Sequence, residues 1–92
     1  MANLRLIKKD IDFLISEVVS DCWVYLYMNE AKNKEEIMGI INEAIDLRND
    51  LYDKVNKPNK ENIKGHYKSI NKDLFTGVDI LFQKISKVAE KR

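Results

Sequence analysis

The chain of 92 residues holds one histidine, His66, and one cysteine, Cys22. Metal sites in helical bundles commonly repeat Glu-x-x-His on two helices. Here the residue three before His66 is Ile63, and no second histidine exists. Glu17 and Asp21 stand four apart; so do Asp46 and Asp50, with Glu43 a turn earlier. Carboxylates at that spacing share a helix face, but without His or Cys partners they read as a solvated acidic surface. Cys22 sits in the apolar run CWVYLYM, with no nearby histidine to take its proton, and reads as a buried, inert thiol. Ser16, Ser20, Ser69 and Ser86 find a base only in His66, beside Ser69 and Tyr67, and one such neighbour is not a triad. Phosphate-binding glycine loops, cysteine pairs and H-E-x-x-H are absent from the sequence. The expectation is a non-enzymatic protein with no catalytic residue, no metal, no cofactor and no small-molecule ligand.

Charge carries more information. Lys and Arg number 16 and Asp and Glu 15, for a net +1. Residues 10–53 nevertheless hold eleven acidic and three basic side chains, whereas residues 54–72 hold six lysines against Glu61. Lys57, Lys60, Lys64, Lys68 and Lys72 form a basic ridge near Asn56, Asn59, Asn62 and Asn71. Such a ridge can follow phosphates, so a nucleic-acid-associated protein is the alternative reading. No arginine cluster or interleaved aromatic row supports base reading. An antiparallel hairpin would also lay the ridge beside the acidic half of helix 2, so internal compensation is preferred and nucleic acid disfavoured. Arg48 falls within the apolar stripe of helix 2. It must snorkel to the rim, pair with an acid of a neighbouring helix, or meet an anion or partner carboxylate.

Three helical segments position these residues. With three glycines and one proline, the chain lacks the turns of a small all-β domain. The first helix spans about 4–28, with an inner stripe of Ile7, Ile11, Leu14, Val18, Cys22 and Tyr25, flanked by Ile15, Val19 and Leu26. Asn29–Asn33 break it. Asn33 and Glu36 match a capping box for helix 2, about 34–55. Its apolar face is Ile37, Ile40, Ile41, Ala44, Leu47, Leu51 and Val55. Pro58 ends the second connection, and Asn59 is the expected cap of helix 3, about 60–90. Its stripe is Ile63, Tyr67, Ile70, Leu74, Val78, Leu81, Ile85 and Val88. Asp73 could cap a new helix and split this one, but the unbroken stripe favours one helix, bent or straight. Short connections make neighbours antiparallel. The predicted fold is an all-α, up-down-up three-helix bundle forming one domain over residues 1–92.

Helix 1 is more apolar than a bundle helix needs, which is about three positions in seven. Between Phe13 and Met28, twelve of sixteen residues are apolar. At 100° per residue, Leu6, Phe13, Trp23, Val24 and Tyr27 lie opposite the inner stripe. Phe13, Ser16, Ser20, Trp23 and Tyr27 step 3, 4, 3, 4, which makes a second seam. A helix apolar on two faces is normally buried on two faces. The predicted interface is therefore Leu6, Phe13, Ser16, Ser20, Trp23, Val24 and Tyr27, meeting a second copy in a homodimer or another helical protein. The competing readings have these residues flanking helices 2 and 3, or covered by a curled terminus.

The setting expected from the sequence is cytoplasmic. A lone cysteine supports no internal disulfide. Lys8, Lys9, Asp10 and Asp12 interrupt the apolar run a signal peptide needs. The run Cys22–Met28 is far short of the roughly 20 residues of a membrane span, so no membrane partner is expected. The polar residues of helix 1 are mainly acidic, which disfavours lying on a lipid surface.

Overall fold

The computed structural model describes residues 4–30, 32–57 and 60–90. It contains three helices, α1 (Leu4–Met28), α2 (Lys34–Asn56) and α3 (Ile63–Glu90), and every pair is in contact. No strand occurs among the described residues. Cross-helix bonds fix the directions. Asn33, just before α2, reaches Tyr25 of α1, whereas Arg48 further along α2 reaches Asp12, and Tyr52 donates to the same carboxylate at 2.7 Å. On the other side, Lys54 meets Asp73 of α3 and Glu43 meets Lys84. Rising numbers on one helix match falling numbers on its neighbour, so the bundle runs up, down, up.

The core is the set of stripes read from the sequence. Ile7, Ile11, Ile15, Val18, Cys22, Tyr25 and Leu26 bury the inside of α1. Ile37, Ile40, Ile41, Ala44, Leu51 and Val55 do so for α2, and Tyr67, Ile70, Leu74, Val78, Leu81 and Val88 for α3. Leu47 and Ile85 pack half-buried against this cluster. Ile63 departs from the expectation: as the first residue of α3 it lies beyond the packed region and is exposed.

The helix ends differ from the expected capping. Asn33 does precede α2, but it sits in the left-handed region (φ 59°, ψ 31°) and makes no side-chain cap bond. A cap side chain reaches the free amides from an extended backbone, which this conformation denies it. Its Nδ2 instead donates to the Tyr25 hydroxyl at 3.1 Å. Asn29 Nδ2 donates to the Tyr25 carbonyl at 2.8 Å, so both asparagines tie the connection to the end of α1.

Helix α3 starts three residues later than expected. Pro58 and Asn59, read as breaker and cap, lie outside the described residues. Asn62 is the cap: its Oδ1 accepts the Gly65 amide at 3.0 Å, and its carbonyl accepts the His66 amide at 2.9 Å. A Cβ at Gly65 would collide with that carboxamide, so the glycine makes room for the cap. Asp73 does not cap a second helix. Its carboxylate is taken by Lys54 at 3.0 Å, and α3 runs unbroken to Glu90.

Gly39 and Gly77 are both interior to helices with ordinary negative φ. A Cβ at Gly39 would meet nothing within 4 Å, whereas one at Gly77 would stand 2.7 Å from Leu47 Cδ2. Gly39→Ala is therefore expected to raise stability by about 1 kcal/mol, the helical advantage of alanine. Gly77→Ala should gain less, because Leu47 must rotate away. Urea unfolding of the two variants checks the order, and an equal gain in both contradicts the packing at Gly77.

Candidate interaction surface

The core stripe of α1 fixes what its far side does. Ile11, Val18 and Cys22 point inward with no exposed surface. Residues half a turn away must then face out, because a helix turns 100° per residue. Relative exposures are 53% for Leu6, 61% for Phe13, 53% for Trp23, 56% for Val24 and 86% for Tyr27. Ser16 and Ser20 are exposed between them. The seven seam residues thus share one solvent-facing side of one helix. These residues face away from α2 and α3, which sets aside the flanking reading, and the terminal residues that the curled-terminus reading needs lie outside the described residues.

Two details suit this face to contact. Ser16 Oγ donates to the Phe13 carbonyl at 2.7 Å, so its hydroxyl is satisfied within the helix and can leave water at low cost. The three aromatic rings expose on the order of 400 Å², given about 150–250 Å² for each complete side chain. Met28, 70% exposed, extends the strip and was missed because it closes the apolar run rather than stepping along the seam. Phe75 and Ile80 on α3 and Ile45 on α2 are also exposed. Their signal was available as apolar residues left over beside the α3 and α2 stripes.

The basic ridge is not one charged unit. Lys57 lies 3.2 Å from Asp53, one turn earlier in the chain. Lys60, Lys64, Lys68 and Lys72 are exposed, and no ion pair is formed by them among the described residues. Compensation between α2 and α3 does occur, but through Lys54–Asp73 and Lys84–Glu43. Asp73, Gly77 and Lys84 mark the side of α3 that meets α2, and the ridge lies well round from it. Lys64, Gly65, Tyr67, Lys68 and Asn71 line an open hollow of about 590 Å³. Two further hollows, of about 390 and 270 Å³, lie along the α2–α3 groove on either side of the Glu43–Lys84 pair.

The remaining singled-out residues have structural partners. Arg48 snorkels to the rim, where its Nε is 3.1 Å from Asp12 and its guanidinium carbon 4.3 Å from the Tyr52 ring centre. Burial and the Asp12 contact push the Tyr52 hydroxyl above its usual range. His66 Nε2 donates to the Lys54 carbonyl at 2.7 Å, joining the start of α3 to the last turn of α2. Among the described residues no cluster of His, Cys, Asp and Glu is arranged to hold a metal, and no helix is long and apolar enough to cross a membrane.

Cys22 is buried, and burial, with the Asp21 charge, pushes its thiol up to about 11. Between about pH 9 and 11 the folded chain keeps a proton that the unfolded chain releases. Stability should therefore fall as pH rises through that window and feel no Cys22 effect below it. Denaturant midpoints at about pH 8 and 10 test this, because Cys22→Ala should remove that part of the pH dependence. An identical pH dependence in both chains would contradict the burial.

No family model, curated protein or solved structure matches this chain, so its surface chemistry alone carries the functional argument.

Proposed function

We propose that the chain is a non-enzymatic interaction module that self-associates through the outer face of α1. One observation carries this reading. An aromatic and aliphatic strip runs along most of a 25-residue helix whose opposite face is already the core. Contiguous apolar patches of that extent are uncommon on monomers and mark contact surfaces. Trp and Tyr are enriched at interface hot spots. The occupant is a second copy of the chain, with another helical protein the alternative. A lone buried cysteine suits a reducing, cytoplasmic setting.

Light scattering across a concentration series tests the reading. A mass of twice the chain is expected at tens of micromolar, which corresponds to roughly micromolar or tighter affinity. A clean monomer there would reject it.

A second reading rests on the exposed lysines of α3. Lys64 and Lys68 flank a hollow with Tyr67 and Asn71, a setting for phosphate oxygens. A mobility shift with mixed DNA or RNA that weakens steeply between about 50 and 200 mM salt would support it. No shift at micromolar protein would remove it.

A further inference from the structure

The strip on α1 has an internal symmetry. Lys9, Phe13, Ser16, Ser20, Trp23 and Tyr27 alternate four- and three-residue steps, the spacing of a helix-pairing seam. They are also placed in pairs about Val18: Ser16 and Ser20 two residues away, Phe13 and Trp23 five, Lys9 and Tyr27 nine. Val18 itself is fully buried, so the centre of this pattern faces the core and the pairs straddle the outward direction.

Resting on the proposed self-association, we infer that the second copy docks antiparallel, with a two-fold axis passing at the level of Val18. Phe13 then shares a layer with the partner's Trp23, Ser16 with the partner's Ser20, and Lys9 with the partner's Tyr27. Aromatic meets aromatic in the two Phe13–Trp23 layers, and serine meets serine in the two layers between them, so the rings bracket a central stretch of close approach. Lys9 lies against a ring that is 86% exposed, a cation–π contact. A parallel pair would instead set the two Lys9 ammonium groups against each other in the seam. The rings' exposed area, on the order of 400 Å², is about half of the ~800 Å² per partner of a standard interface. Leu6, Val24 and Met28 extend it. The antiparallel arrangement brings Glu17 near the partner's Glu17 at the wet rim, where water and salt screen the repulsion.

Cross-linking reads the orientation. Ser16→Cys and Ser20→Cys are small exchanges at exposed positions, and the native Cys22 is buried away from both. Each variant is oxidised alone and in an equal mixture with copper-phenanthroline, beside light scattering of the same samples. The mixed disulfide, joining the Ser16→Cys chain to the Ser20→Cys chain, should form roughly tenfold faster than either homodisulfide, because cysteines bridge only when their Cα atoms approach within about 7 Å. Rapid homodisulfides in each variant alone would overturn the antiparallel arrangement and leave self-association standing. A dimer that forms none of these bonds would also overturn the arrangement. Monomers throughout would remove both the arrangement and the reading beneath it.

Discussion

Trp23→Asp is expected to leave the chain a folded monomer and abolish the proposed self-association. The indole is 53% exposed on the isolated bundle, so the monomer core loses little when it is removed. In the proposed dimer each ring would be covered, and a two-fold assembly would contain it twice. Truncating a hot-spot aromatic typically costs about 2–4 kcal/mol. A carboxylate placed in that contact adds its own desolvation penalty. Two sites together imply a loss in affinity on the order of a thousandfold or more. Ultracentrifugation should show one chain mass at concentrations where the wild type is dimeric, with an unchanged helical circular dichroism spectrum. Ile45→Asp is the matched control. It places the same charge at an exposed apolar site on α2, 45% exposed, and should leave the dimer intact. If Ile45→Asp dissociates the dimer and Trp23→Asp does not, the contact face lies on another helix.

The second large effect concerns the monomer. Leu74→Ala is expected to cost about 2–5 kcal/mol, from lost apolar burial and the cavity left behind. Leu74 has no exposed surface and lies midway along α3. A domain of this size is stabilised by about 5–15 kcal/mol, so one substitution removes a large share. The urea midpoint should fall sharply, and at low protein concentration part of the chain should be unfolded at about 25 °C. Raising the concentration should recover some of the loss if folded chains pair, because association stabilises only the folded form. Phe13→Ala should do the reverse, with little change in the dilute monomer and weaker pairing. A Leu74→Ala chain as stable as wild type would contradict the packing of the core.

The helices were legible because apolar stripes at a period of about 3.6 residues are long-range signals. The α1 boundaries agree with the reading, and the α2 and α3 stripes were read almost residue for residue. The ends were less legible because capping depends on competition between nearby groups. Asn59 and Asn62 both precede a helical pattern, and the cap goes to the one whose carboxamide faces a glycine three residues on. Asn33 stands at the expected position, but Tyr25 takes its side chain, a contact from the preceding helix that local spacing does not encode. Arg48 was placed correctly by angle, and the choice of Asp12 needed the helix pairing. The outward face of α1 was legible for the same reason as its core: one periodicity sets both. What lies against that face is not written in a single chain's periodicity, so the palindromic placement about Val18 becomes useful only once the strip is seen to be exposed.

The shape of the bundle adds a consequence for transport. Its extents are 49 × 19 × 18 Å, a rod with the strip along one long side. Two rods joined along that side double the mass while becoming less elongated. Friction with solvent therefore grows more slowly than for rods joined tip to tip. At equal mass, the side-by-side pair sediments faster and tumbles more nearly isotropically. Its sedimentation coefficient and NMR rotational diffusion anisotropy would distinguish the two shapes without any label or substitution.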